Sequence, residues 1–265
     1  MKKKIALIQM QVKLADPDYN YEHARELMEK AMENEPDILV LPETWNTGFY
    51  ISHKLKDLAD KEGERTKEFC SGFSKKHRVN LVAGSAAVLI GDDVYNRSYI
   101  FDRNGENIAE YDKVHGFSFA KEPIFFKGGN HTVHFKLDEI SCSMVLCYDI
   151  RFPELIRRSV LEGETDLFFI PAAWPEARVF HWNILTRARA VENQMYLCAV
   201  NQGGISGKAQ YAGNSLLLDP WGNDVCTLGS EEGIAVGEID TEVISQIRET
   251  IHVFKDRRPE LDVVK

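Results

Sequence analysis

Cys147 follows the apolar run Ser141-Cys142-Ser143-Met144-Val145-Leu146 and precedes Tyr148-Asp149-Ile150-Arg151-Phe152-Pro153-Glu154-Leu155. The pattern predicts a strand, a sharp turn and a helix with proline in its first turn, where a missing N–H costs nothing. A side chain at that junction stands beside backbone N–H groups that no helical bond uses, so the thiol is a candidate nucleophile. A free thiol, with pKa near ~8.5, is only slightly ionised at neutral pH, and attack on an unreactive carbonyl needs a base or a cation beside it. Two such groups close other strand-like runs: Glu43 ends Asp37-Ile38-Leu39-Val40-Leu41-Pro42-Glu43, and Lys113 ends Ala109-Glu110-Tyr111-Asp112-Lys113. Ligands bind outside the carboxyl ends of strands in open α/β sheets, so thiol, acid and amine are expected to share one cleft.

The elements that deliver them alternate along the chain. Residues 5–10 and 38–41 bracket a stretch in which Tyr21, Ala24, Leu27, Met28, Ala31 and Met32 line one helical face. A second helix is expected over 64–77, before a strand at 81–84. Strands at 95–102 and 107–111 flank Arg103-Asn104-Gly105-Glu106 and predict a hairpin. A second hairpin joins 132–137 to 141–146 across Asp138-Glu139, and a third turns around Asp219-Pro220-Trp221-Gly222-Asn223. Between these two come a buried strand at 167–170, a helix from 178 to 194 and a strand at 195–200. Mixed sheets bury one face under helices and need cover for the other, so the expected class is α/β, a four-layer α-β-β-α sandwich of two mixed sheets.

With 265 residues, 44% of them hydrophobic and 28% charged, and no linker or repeat, the chain is expected to form one domain over 1–265. Its basic start, Lys2-Lys3-Lys4, gives way quickly to Gln9, Gln11, Lys13 and Asp16, unlike an export signal. No run approaches the ~18 apolar residues of a membrane span. Five unevenly spaced cysteines form no disulfide framework, which fits a reducing cytoplasm. The net charge of −9, without a Lys/Arg-rich segment beyond the start, argues against nucleic acid as a partner. It also means that an anionic substrate must find a local cation.

Leu41-Pro42-Glu43, Tyr111-Asp112-Lys113 and Cys147-Tyr148-Asp149-Ile150-Arg151-Phe152-Pro153-Glu154, in that order, resemble the motifs of the nitrilase superfamily of carbon–nitrogen hydrolases. The resemblance extends from Ile5 past the Asp219-Pro220-Trp221-Gly222 turn. It is most similar to the bacterial ω-amidase branch through Ala173-Trp174-Pro175, Arg178, His181-Trp182 and the 187–194 stretch. The resemblance implies that Cys147 attacks an amide carbonyl while Glu43, desolvated beside Leu41, Pro42 and Trp45, takes the proton and later returns it to ammonia. Lys113 and the Tyr148 N–H would stabilise the oxyanion. A second glutamate supports the lysine in this family, and Glu122 takes that place, although Pro123 stands where the branch commonly has histidine. No cofactor or metal is implied. A homodimer of eight layers is, with a C-terminal segment at about 245–265 docking on the partner subunit.

The same residues have plainer readings. Strand alternation sends Cys142 to the face opposite Cys147, so no disulfide joins them, and Cys70, Cys198 and Cys226 read as core residues. A papain-like pair of Cys147 with His115 leaves Glu43 and Lys113 without a role. His131 and His134 have no metal-ligand partners, and Gly128-Gly129 and Gly203-Gly204 are turns rather than nucleotide loops. Arg187, Arg189 and Glu192 suit either a solvated helix face with an ion pair or buried pairing at an interface.

The ω-amidase branch cleaves the terminal amide of 2-oxo acids such as 2-oxoglutaramate, a substrate that carries a carboxylate. Arg178 is the candidate cation for it, with Phe49, Tyr50, Phe117, Tyr148 and Trp174 as walls that exclude water. The same trio serves nitrilases, N-carbamoyl amino acid hydrolases, aliphatic amidases and the amidase of deaminated glutathione. A catalytically silent scaffold of the same fold also stays open.

Overall fold

The computed structural model describes residues 1–262. Its strands are β1 (Lys2–Gln9), β2 (Ile38–Val40), β3 (Asp60–Lys61), β4 (Asn80–Val82), β5 (Ala86–Ile90), β6 (Asp93–Phe101), β7 (Asn107–Asp112) and β8 (His134–Leu137). They continue with β9 (Ile140–Met144), β10 (Leu167–Ala172), β11 (Tyr196–Asn201), β12 (Ile205–Ser206), β13 (Ala209–Gln210), β14 (Leu216–Leu218), β15 (Asp224–Thr227) and β16 (Gly233–Asp240). The helices are α1 (Pro17–Met32), α2 (Leu55–Leu58), α3 (Glu64–His77), α4 (Glu122–Phe125), α5 (Pro153–Gly163), α6 (Val179–Asn193), α7 (Glu242–Thr250) and α8 (Pro259–Asp262).

The layering follows from alternation along β1. Ala6 and Ile8 enter a cluster with Tyr21, Ala24, Leu27 and Met28 of α1 and Cys70 and Phe73 of α3. Ile5 and Leu7, pointing the other way, enter a second cluster that includes Phe168, Leu197 and Leu217 of the other sheet, as the two-residue period of a strand requires. That cluster continues to Ile156 and Val160 of α5 and Trp182 and Ala190 of α6. The expected four layers are therefore α1 and α3, sheet, sheet, α5 and α6.

Both sheets are mixed. The first runs β16-β1-β2-β4-β6-β5-β3 with β7 paired to β6, and the second runs β15-β14-β11-β10-β9-β8. Each has a parallel centre, β1-β2-β4 in one and β9-β10-β11 in the other. Parallel strands are buried on both faces; all six residues of β10 are buried, as its Leu-Phe-Phe-Ile run requires.

One local expectation changes. β9 ends at Met144, and Cys147 begins a separate 3-10 turn, Cys147–Arg151, before α5. Alternation along β9 therefore does not extend to Cys147, and Cys142 shares its apolar cluster; all five cysteines are nevertheless free. The C-terminal segment also packs on its own chain: Gln194 donates to the Ile251 carbonyl at 2.8 Å, and Phe254 lies 5.4 Å from the Arg157 guanidinium and 5.2 Å from that of Arg248. No helix among the described residues is long and apolar enough to cross a membrane.

Candidate active site

The carboxyl ends of the two parallel centres meet at one edge. β2 leads through Leu41-Pro42 to Glu43, β9 through Val145-Leu146 to Cys147, and β10 directly to Ala173. β7 adds Lys113, whose N–H donates to the Asn96 carbonyl of β6 at 3.0 Å.

The turns that present these side chains are strained and over-determined. Thr44 has φ +44° and Cys147 also has φ +44°, a left-handed conformation that is an outlier for a β-branched residue and is typical of constrained sites. Ser85 fixes the first turn: its hydroxyl accepts the Thr44 N–H at 2.8 Å, and its own N–H donates to the Pro42 carbonyl at 3.1 Å. Gly84, at φ +57°, crosses this turn so closely that a β-carbon would overlap the Pro42 carbonyl oxygen. The other sheet completes the hold, with the Gln202 amide donating to the Glu43 carbonyl at 2.8 Å.

Asp149 does the same for the second turn. This fully buried carboxylate accepts the Tyr111 hydroxyl at 2.8 Å, the His115 N–H at 2.8 Å and the Leu146 N–H at 3.2 Å, joining the end of β7 to the Cys147 turn. Arg189 of α6 is buried and donates to the Ile150 carbonyl at 3.0 Å while pairing with Glu192 at 2.8 Å. It thus holds the Cys147 turn from α6.

Glu43, Lys113 and Glu122 are at most 3% exposed. The Lys113 ammonium donates to Glu43 Oε1 at 2.8 Å and to both Glu122 oxygens at 2.9 Å. Asn96, which the sequence did not single out, donates to Glu43 Oε1 at 2.8 Å and to Glu122 Oε1 at 3.3 Å. The Phe117 N–H reaches Glu122 Oε2 at 2.6 Å, and the Ala173 N–H reaches Glu43 Oε2 at 2.8 Å. Both acids are therefore ringed by donors alone.

Burial by itself would push the Lys113 ammonium down, but Glu43 and Glu122 outweigh it and hold it well above the ordinary lysine range. Burial pushes the Glu122 carboxyl up; Lys113 opposes this and the Glu43 charge adds to it. Burial, then the Glu43 charge, drives the Cys147 thiol well above its usual range against the pull of Lys113. Cys147 is thus held as a neutral thiol beside Glu43, and a neutral thiol attacks a carbonyl only with a base to take its proton.

Lys113 and Cys147 open onto a cavity of about 180 Å³, small for a ligand site and thus suited to a small molecule. Phe49, Phe117, Tyr148, Trp174 and Arg178 line it beside Lys113 and Cys147. Glu122 stands behind Lys113 rather than in the lining. Tyr50 does not line it either, but packs against a cluster of Leu55, Ala87, Val94 and Phe126. His115 turns away, its ring on Asp149 at 2.9 Å and stacked 3.6 Å from Phe152. It faces a larger groove of about 1010 Å³ that contains no thiol.

Two polar side chains in the lining, Arg151 and Tyr211, had no role assigned from sequence. Arg151, inside the Cys147 motif, lies 4.8 Å over the Trp174 ring. Tyr211 comes from the far side of the β12–β13 hairpin, with no sequence signal to mark it. The lining's charged side chains are Lys113, Arg151 and Arg178, with no Asp or Glu.

A family model, Carbon-nitrogen hydrolase, matches residues 4–249, and the chain belongs to that family, in the ω-amidase branch of the nitrilase superfamily. It is 41% identical to a 2-oxoglutaramate amidase of Bacillus subtilis over 98% of this chain and 100% of the relative. It is 32% identical to an omega-amidase of Saccharomyces cerevisiae, over 96% and 93% of the two chains. The structure of a CN-hydrolase superfamily protein from Xanthomonas campestris, with an arsenic adduct in its active site, matches with a TM-score of 0.92 at 27% identity, covering 100% of both chains. The chain is an amide-cleaving carbon–nitrogen hydrolase.

Proposed function

We propose that the cavity hydrolyses the terminal carboxamide of a short 2-oxo acid of the 2-oxoglutaramate type, releasing ammonia through a Cys147 thioester. The observation that carries this substrate is the lining: a thiol and an ammonium at one end, two arginines, and no acid. Arg178 and Arg151 bind the substrate carboxylate, as an acidic protein requires of an anionic ligand. An α-ammonium, as in glutamine, would have no acidic partner there.

The carbonyl oxygen sits at the Lys113 ammonium and the Tyr148 N–H, which lies second in the 3-10 turn, before any intrahelical acceptor is available. As sulfur attacks carbon, Glu43 takes the thiol proton. It then gives that proton to nitrogen as the C–N bond breaks and ammonia leaves. Water adds to the thioester as Glu43 takes one of its protons, the C–S bond breaks, and the proton returns to sulfur. Glu122 positions Lys113 without touching substrate.

Ammonia release from 2-oxoglutaramate, glutamine and a neutral short amide tests the reading. Arg178→Ala should raise KM for 2-oxoglutaramate at least about tenfold more than for the neutral amide. Equal changes on both would remove Arg178 from the carboxylate site, and faster turnover of glutamine than of 2-oxoglutaramate would remove the substrate.

The protein is further read as a homodimer in a reducing cytoplasm. Phe180, Ile184 and Val191 form one exposed apolar stripe along α6, with Trp221 also exposed, and five free thiols suit that compartment. In this assembly the segment at about 245–265, of which 263–265 lie outside the described residues, docks on the partner subunit.

A further inference from the structure

Tyr211 is 5% exposed and forms part of the wall of the cavity that holds Lys113 and Cys147. Its backbone is fixed there: the Tyr211 N–H donates to the Gly204 carbonyl at 2.9 Å, the next N–H, of Ala212, donates to the Trp174 carbonyl at 2.9 Å, and a bridge pairs Tyr211 with Pro175. Buried tyrosine hydroxyls ordinarily find partners. Tyr21 meets Thr66 at 2.6 Å, Tyr111 meets Asp149 at 2.8 Å, and Tyr196 meets the Asp240 carbonyl at 3.2 Å. No hydrogen bond engages the Tyr211 hydroxyl among the described residues, and Tyr211 lines the cavity beside Lys113 and Cys147.

The substrate supplies the missing partner. In the mechanism above, the carbonyl oxygen is taken by Lys113 and the Tyr148 N–H, and the carboxylate by the arginines. The carboxamide nitrogen keeps two N–H donors, of which Glu43 can accept one. Most of the remaining lining side chains are apolar or cationic, so its side-chain oxygen acceptors are the tyrosine hydroxyls. The Tyr148 ring packs between Phe117 and Phe152 at 5.0 and 5.5 Å. Tyr211 is the other tyrosine of the lining, and its backbone ties to Trp174 and Pro175 fix it on the wall that also holds Lys113 and Cys147.

We propose that the Tyr211 hydroxyl accepts the second N–H of the scissile carboxamide and so orients the nitrogen for the proton that Glu43 delivers. Tyr211 is a substrate-positioning residue in this scheme. The assignment rests on the amidase reading of the cavity.

The experiment compares Tyr211→Phe with the unaltered protein on a primary amide and on the methyl ester of the same acid, because the ester has no N–H to hold. The expected result is a loss of about tenfold in kcat/KM on the amide and less than about twofold on the ester, the worth of one neutral hydrogen bond. An unchanged melting temperature shows that the hydroxyl has no structural bond. Equal losses on amide and ester, or no loss on the amide, overturn the proposal. The comparison is made on both 2-oxoglutaramate and a neutral amide. Turnover of the neutral amide alone would discard the 2-oxo acid substrate, while the amide-to-ester ratio still decides the role of Tyr211.

Discussion

With Lys113 held cationic and Cys147 held as a thiol, the proposed attack by sulfur requires its proton to leave, and Glu43 is the proposed acceptor. Glu43→Gln separates two effects that act in opposite directions. Amide turnover should fall by about three orders of magnitude or more, because the proton has no acceptor. The thiol should at the same time ionise at a lower pH, because the charge that raised it is gone and Lys113 remains. Titration of the thiolate by its ultraviolet absorbance reads the second effect, and an unchanged or higher midpoint would refute the proposed charge arrangement. Glu122 gives a second contrast at this scale. Glu122→Ala leaves a buried ammonium with one carboxylate fewer and should cost about 3 kcal/mol of stability in denaturant unfolding. Cys147→Ala should retain the melting temperature while abolishing turnover.

At the scale of elements, the site depends on ties between turns. The Asp149 carboxylate joins β7 to the nucleophile turn through three donors, and Arg189 holds the same turn from α6. Asp149→Asn keeps the shape but presents an amide group where only acceptors are matched. It should lower kcat on every amide by about tenfold or more with little change in KM, since the misplacement affects attack rather than binding. A KM effect confined to one substrate would instead make Asp149 part of the specificity pocket. Helix α6 carries the self-association reading: Ile184→Glu should convert a dimer to a monomer in light scattering, and a wild type that is already monomeric would end that reading.

For the whole molecule, the two sheets are also joined far from the site by charge. Arg103, after β6, donates to Asp37 at 2.7 Å and to Asp138, in the β8–β9 turn, at 2.8 Å; Lys3 of β1 reaches Asp138 at 2.5 Å. Hydrogen bonds from Arg103 hold the Asp138 carboxyl well below the usual carboxylate range. A depressed folded value means that the stabilisation is complete above the unfolded carboxylate pKa of ~3.9 and is lost as pH falls through the folded value. Arg103→Met should therefore lower the melting temperature at neutral pH, by the equivalent of about 1 kcal/mol given the partial exposure. The gap should narrow as the solution is acidified below that range. A gap independent of pH would assign the effect to packing.

The local chemistry was written in the sequence because it is local. Apolar periodicity marked α1, α3 and the central strands, turn residues marked the hairpins, and the ordered Glu43, Lys113 and Cys147 motifs marked side chains that the fold brings to one edge. What the chain order could not show is which groups stand beside which. Asn96 between two acids, Asp149 under the nucleophile turn, Arg151 over Trp174 and Tyr211 on the cavity wall are contacts across 26 to 53, 34 to 38, 23 and dozens of residues of chain. Tertiary packing alone decided them, since a thiol's ionisation and a pocket's sign of charge depend on distance in space and exclusion of water, and neither quantity is a property of spacing along the chain.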